Sequence, residues 1–351
     1  MKMSNHQNPY SLTFGKVPPK VVNRTLQENE IYEAFTSPIP PQMIYMITGV
    51  RGSGKTVMLT DISKHFRELP DWIVLELNPE SDLLSQMVAK LYETKGLSEI
   101  FRKAKLNLSL FGISVELDNK TVPIASVSVA LERMLEQVKK KGKKVLVTID
   151  EVTSNEHVRL FASEYQILIR QDLPLFALMA GLYENIDTLQ NEKTLTFLYR
   201  ASKIRLAPLN LAAIAGHYQK TFGLSDTDAR DMAKLTKGYP FAFQVLGYYT
   251  FKNGGDYKSS LISFRQHLDE YVYDKIWSEL SLKDRKVLYV TSETKDGKIS
   301  KIRETLEMES NEFSPYRERL IKKGLLNGDE RGYVRFVLPM FEEYVHDHFE
   351  M

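Results

Sequence analysis

The stretch "GVRGSGKT", Gly49 to Thr56, follows directly on the apolar run "MIYMIT". Few arrangements need three glycines, a lysine and a threonine between what reads as a buried strand and what reads as a helix. The stretch fits G-x-x-x-x-G-K-[ST] through Gly49, Gly54, Lys55 and Thr56, and Gly52 adds a third permissive position. Glycine lets a backbone turn its amides inward and come close to a phosphate. The following segment carries Leu59, Ile62, Phe66 and Leu69 at three- and four-residue spacing, one face of a helix. Its N-terminus offers unpaired N–H groups and a dipole that favours anions. Average residue usage gives the bare pattern by chance in about one chain of this length in a hundred, and the strand and helix on either side make chance rarer. Gly49, Val50, Arg51, Gly52, Ser53, Gly54, Lys55, Thr56 and Val57 are therefore the candidate phosphate site. Lys55 is suited to neutralise β- and γ-phosphates, and the Thr56 hydroxyl to ligate Mg²⁺.

A phosphate loop calls for a second strand that ends in an acid. "VLVTIDE" supplies Asp150 and Glu151. Asp150 would hold Mg²⁺ through water, and Glu151 would orient or deprotonate an attacking water. An acid pair after a strand is also a common helix cap, so its weight comes from the loop upstream. An adjacent acid favours hydrolysis over transfer to a small molecule, and no acceptor-substrate motif is visible.

The remaining pattern alternates. "WIVLEL" (72–77), "LPLFALMAG" (173–181) and "KIRLAPL" (203–209) read as further strands, and "SDLLSQMVAKLYETKG" as a helix closed by Gly96. "KLNLSLFGISVELD" (105–118) looks like an inserted hairpin. Strands alternating with helices imply a parallel sheet covered on both faces. From 209 to 278 the signal is helical, with Ser225 and Asp228 as a capping pair. From 279 to 351 two helical patterns lead to "EFSPYRERLIKKGLL", a turn, the strand "YVRFVL" and a last helix. The expected domains are a core over 1–208, a helical lid over 209–278 and a third domain over 279–351.

The composition excludes several classes. There is no cysteine and no His-x-x-x-His pair among seven histidines, which removes disulfides and makes a zinc site unlikely to form. The N-terminus lacks a secretory core, and the longest apolar stretch is too short to span a bilayer. A cytoplasmic protein without a membrane partner is expected. With 47 basic and 45 acidic residues, the whole chain does not demand nucleic acid.

With these segments in hand, the chain resembles the P-loop ATPases of the AAA+ and STAND classes, above all the archaeal-type ATPases related to origin-recognition ATPases. "VVNRTLQENEI" is similar to that group's N-terminal box, with Asn23 in place of its glycine and Arg24 retained. "FLYRASKIRLAPL" is similar to the stretch with an arginine before the last core strand, and "KGYPFAFQVLG" to the G-x-P box of the lid. The C-terminal region resembles the winged helix that follows the lid. The likeness covers about 20 to 351. It implies an α/β P-loop NTPase core, an all-α lid and a winged-helix domain. It implies ATP or ADP held between core and lid, with Val22, Arg24 and Pro240 near base and sugar. Arg200 would sense the γ-phosphate in its own subunit or in a neighbouring copy; a surface ion pair is the competing role. The lid lacks the family's sensor arginine, and only Tyr183 and Asn185 stand where a polar sensor belongs, which points to slow or switch-like turnover.

In a winged helix the third helix enters the major groove of DNA. Pro315 fits a first helical turn, so this helix is expected to start near Asn311 to Ser314. Its outward residues would be Tyr316, Arg317, Arg319, Lys322 and Lys323, with Arg331 and Arg335 on the wing. Residues 281–351 hold 13 Lys and Arg against 14 Asp and Glu, which is not the basic balance of a dedicated DNA-binding domain. Duplex DNA, a protein partner and the chain's own core stay open as targets. The function expected is an ATP-driven switch; the alternative is a DNA-binding protein in which nucleotide is structural and turnover negligible.

Overall fold

A computed structural model of the chain describes residues 7–13, 22, 24–104 and 126–349. The hairpin expected at 105–118 and Asn23 lie outside the described residues. The chain divides into two compact units. One comprises Thr25–Thr48 and Lys55–Arg205; the other takes its described residues from Met1–Arg24, Gly49–Gly54 and Leu206–Met351.

The first unit opens with α1 (Thr25–Thr36) and β1 (Ile44–Thr48), resumes with α2 (Lys55–Glu68) and β2 (Trp72–Leu77), and continues through α3 (Leu83–Glu93), α4 (Leu97–Lys103) and α5 (Val127–Lys140). Next come β3 (Lys144–Ile149), α6 (Glu156–Arg170), β4 (Leu175–Gly181), α7 (Tyr183–Gln190), a 3₁₀ turn (Thr196–Arg200) and β5 (Ser202–Arg205). The strands form one parallel sheet in the order β2-β3-β4-β1-β5. Every residue of β1 and β4 is buried, which is why both read as unbroken apolar runs. Met46, Val147 and Met179 share a core with Met87, Leu131, Leu135, Phe161 and Tyr165 from the helices. A second cluster stacks Phe35, Phe66, Trp72 and Phe176, with ring centroids 4.4 Å apart for Phe66–Trp72 and 4.9 Å for Trp72–Phe176. β4 stands between β1 and β3, pairing Thr48 with Gly181 and Ile149 with Met179. Gly96 does not close α3: that helix stops at Glu93, and Gly96, at φ 84°, is the N-cap of α4.

The second unit holds α8 (Leu211–Phe222), α9 (Asp226–Leu235), α10 (Pro240–Lys252), α11 (Leu261–Leu268), a π-helical turn (Asp269–Tyr273) and α12 (Asp274–Ser278). These share one core with α13 (Leu282–Glu293), α14 (Ile299–Leu306), α15 (Ser310–Lys322), β6 (Leu326–Asn327), β7 (Arg335–Phe336) and α16 (Phe341–His348). Ser225 caps α9 as expected, its hydroxyl accepting from the Asp228 N–H at 3.1 Å. The expected strand "YVRFVL" shortens to β7, which pairs antiparallel with β6, while Tyr333 forms a single bridge to Lys298.

Two features depart from the sequence reading. Pro315 is the sixth residue of α15, beyond the first turn. A capping box between Glu309 and Glu312 fixes the start at Ser310 and overrides the proline, which leaves the Asn311 carbonyl without its helical donor. Residues 7–13, assigned by sequence to the core domain, pack instead on α8 and α10. Tyr10 is buried among Tyr218, Phe222 and Phe243, and its hydroxyl lies 3.2 Å from His217 Nδ1. Gly247 makes room: a side chain there would overlap the Tyr10 ring.

Candidate functional site

The loop Gly49–Gly54 is shaped by where its carbonyls go. The Ser53 N–H donates to the Val50 carbonyl at 3.2 Å, closing a four-residue turn. Gly52, third in that turn, has φ 71°, whereas Arg51 has no positive φ. This is the signature of a type II turn, which wants glycine at that position. Three successive carbonyls of the loop are then each held by a donor from outside it. Arg51 O accepts from the Tyr239 hydroxyl at 2.5 Å, Gly52 O from the Phe241 N–H at 3.2 Å, and Ser53 O from Arg24 Nη2 at 3.3 Å. In a trans peptide the C=O and N–H point oppositely. The amides of Gly52 and Gly54 are thereby turned away from these partners, and neither makes a hydrogen bond among the described residues. Such an array of inward amides is an anion nest. The Ser53 hydroxyl is buried with no hydrogen-bond partner among the described residues. The Arg51 side chain pairs with Glu279 at 2.9 Å.

Tyr239 and Phe241 flank Pro240 in "KGYPFAF". Pro240 occupies the first position of α10, where its missing N–H costs nothing. Its ring lies 3.9 Å from where a side chain on Gly54 would begin. Val22 is half-buried against the same core. Sequence reading found Pro240 and Arg24 and passed over Tyr239 and Phe241. The signal was available only as an aromatic beside the proline, which core packing explains equally well.

In the sheet unit, α2 begins at Lys55, so the amides of its first turn have no helical acceptor. Thr56 stands in that turn, and its hydroxyl donates to Asp150 Oδ2 at 2.6 Å. Asp150 follows the last residue of β3, and its Oδ1 accepts from the Glu151 N–H at 2.9 Å. Both carboxylate oxygens are therefore fixed. Glu151 is exposed and adopts φ 53°, a left-handed conformation costing about 1 kcal/mol or more for a residue with a Cβ. Val152 then ties the chain down by donating to the Ala180 carbonyl at 2.8 Å.

Arg200 ends the 3₁₀ turn, is exposed, and has no ion pair among the described residues. The surface pair considered from sequence is absent there.

The basic residues of α15 behave differently from expectation. Arg319 donates twice to Asp284 Oδ1, at 3.0 and 2.6 Å, and lies over the Tyr316 ring. Arg317 donates to the Gly328 carbonyl at 3.0 Å. Arg319 stays exposed while its guanidinium is engaged by Asp284, and Arg317 is half-buried with its guanidinium on the Gly328 carbonyl, so both groups already have partners within the chain. Arg335 pairs with Glu330 at 3.2 Å, and Lys322 and Arg331 are exposed. A helical wheel gives the face of a residue but not a partner 35 positions away.

Residues 22–194 match the sequence profile of a family described as an ATPase domain predominantly from Archaea. Residues 270–345 match a domain family of unknown function. No curated protein matches the chain in sequence. The Walker-type ATPase PABY2304 of Pyrococcus abyssi superposes with a TM-score of 0.66 at 13% identity, over 95% of this chain and 99% of that one. The ORC2 protein of Aeropyrum pernix, solved as ADPNP–ADP complexes, superposes with a TM-score of 0.60 at 13% identity, over 95% of each chain. At that identity the likeness is one of fold. Among the described residues no helix is long and apolar enough to cross a membrane. The parallel sheet, with the glycine loop after β1 and the acid after β3, is the α/β P-loop NTPase fold, and its residues 22–194 are similar in sequence to the ATPase domains found predominantly in Archaea.

Proposed function

We propose that this chain is an ATP-binding and ATP-hydrolysing switch whose C-terminal region carries the output. The observation that carries the reading is the 2.6 Å hydrogen bond from Thr56 to Asp150. It joins the first turn after the glycine loop to the acid after β3, as a phosphate-and-metal site requires. Lys55 neutralises the β- and γ-phosphates, and the loop amides bind their oxygens. The donors at Thr56 and Asp150 are hard oxygens, which suits Mg²⁺. Among the described residues no group of three or more His, Asp or Glu could hold a metal alone. The ion would therefore rest on Thr56, on Asp150 through water, and on the phosphates; its chemistry is to withdraw charge from them. Glu151, next to Asp150 and exposed, orients the attacking water and takes its proton. Val22, Arg24 and Pro240 serve base and sugar, and Arg200 the γ-phosphate.

The order α13, α14, α15, β6, β7, with the Lys298–Tyr333 bridge as a third short strand, supports a winged helix over 279–351. With Arg317 and Arg319 committed internally, this region has fewer cations for duplex DNA than its sequence suggests.

The test is phosphate release from ATP with Mg²⁺, measured for wild type, Lys55→Ala and Glu151→Gln, with and without mixed duplex DNA. Glu151→Gln should bind ATP and lose turnover by about a hundredfold. Lys55→Ala should lose binding; retained micromolar affinity would sink the phosphate-loop assignment. Turnover raised by DNA would make DNA the target of the winged helix, and indifference to DNA would move the target to a protein.

A further inference from the structure

We propose that Tyr239, seconded by the Phe241 backbone N–H, positions the phosphate loop for anion binding; this rests on the nucleotide reading above. The peptide between Arg51 and Gly52 is the central peptide of the Val50–Ser53 turn. Flipping that peptide interconverts type I and type II turns, and glycine at the third position tolerates both. In the type II form the Arg51 carbonyl points to Tyr239 and the Gly52 N–H points away from it. A flip would take that amide out of the nest. Nothing within the loop prevents it: the Ser53-to-Val50 hydrogen bond is common to both turns. The 2.5 Å bond from the Tyr239 hydroxyl selects one form, and the Phe241 N–H secures the next carbonyl at 3.2 Å.

The surroundings fit this role. Tyr239 is 4% exposed, so its ring is held in place by packing. Burial holds the phenol well above its usual range, so it stays a donor at any physiological pH. Gly52 makes the approach possible, since a side chain there would overlap the Tyr239 hydroxyl and the Phe241 Cβ. Phe241 is the second residue of α10, where the N–H has no helical acceptor and is available to the loop.

The experiment uses the full chain and a fluorescent ATP analogue, with ATP, tripolyphosphate and adenosine as competitors. Tyr239→Phe keeps the ring and removes the donor. It should weaken ATP and tripolyphosphate by about tenfold, the worth of one hydrogen bond, and leave adenosine unchanged. Its melting temperature without nucleotide should fall by only a few degrees, the cost of one lost hydrogen bond. Tyr239→Met, which keeps apolar bulk and has no donor, should give the same pattern and decides the question if Tyr239→Phe does not fold. Equal loss for adenosine and tripolyphosphate would mean a merely structural tyrosine and overturn the proposal. So would wild-type affinity in both variants while Lys55→Ala loses ATP. If Lys55→Ala binds ATP as wild type does, the nucleotide reading itself has failed.

Discussion

The pair Arg319–Asp284 decides how any experiment on the C-terminal region is read. The Asp284 side chain is 4% exposed. One of its oxygens takes both donors of Arg319, and the other accepts from the Ser281 hydroxyl at 2.6 Å, at the cap of α13. Arg319→Ala leaves that buried carboxylate with a single neutral partner. Breaking a fully buried pair costs about 3–5 kcal/mol. Arg319 is 43% exposed, however, so water can reach the vacated side and recover part of the loss. We expect about 2 kcal/mol, between the exposed and buried limits. For a unit of this size that is a fall in Tm of about 4–8 °C. The chain has two tryptophans. Trp277 lies in this unit, with Arg285 at 5.2 Å from its ring, and Trp72 lies in the other. A Trp72→Phe background therefore reports on the right unit. Asp284→Ala and the double variant complete a cycle, in which the double should be little worse than either single. A loss below about 0.5 kcal/mol for Arg319→Ala, the range of ordinary surface changes, would refute the argument. If the loss is as large as expected, binding by Arg319→Ala has to be measured well below the lowered Tm before a weakening is read as a lost contact.

Three further outcomes follow from single residues. Gly52→Ala should abolish ATP binding, because it combines a left-handed φ with overlap of the Tyr239 hydroxyl; a competition assay showing wild-type affinity would contradict the loop geometry. Tyr10→Ala should cost about 3 kcal/mol in urea denaturation, since the ring is buried against the lid helices, and deletion of residues 1–13 should cost no less. Pro315→Ala should raise stability by about 1 kcal/mol or more by restoring a helical bond to the Asn311 carbonyl, and an unchanged Tm would place the helix start later.

The sheet was legible because β1, β3 and β4 are buried on both faces, so each is an apolar run with a defined end. The acid after β3 was legible because it stands where such a run stops. β5 was read too long: only Ile204 of its four residues is buried, so an edge strand leaves little apolar trace. Gly96 was misread because a left-handed glycine stops one helix or starts another equally well. Tyr10 gave no signal at all. An aromatic in a polar, proline-containing segment marks no face of a helix or strand, and its burial depends on Gly247 far along the chain.

The candidate site divides the same way. The motif supplies the parts of a phosphate loop: permissive glycines, a cation and a hydroxyl. It does not supply the conformation, because glycines that permit the nest also permit its alternatives. The choice is made by donors outside the motif: Tyr239, the Phe241 N–H and Arg24, each bonded to a loop carbonyl. A backbone site is thus set by the partners of its carbonyls, and its amides follow because the peptide is planar. Sequence motifs name side chains and spacing, so this half of the site is invisible to them. It becomes legible once the lid residues are read as donors to the loop and not as packing around a proline.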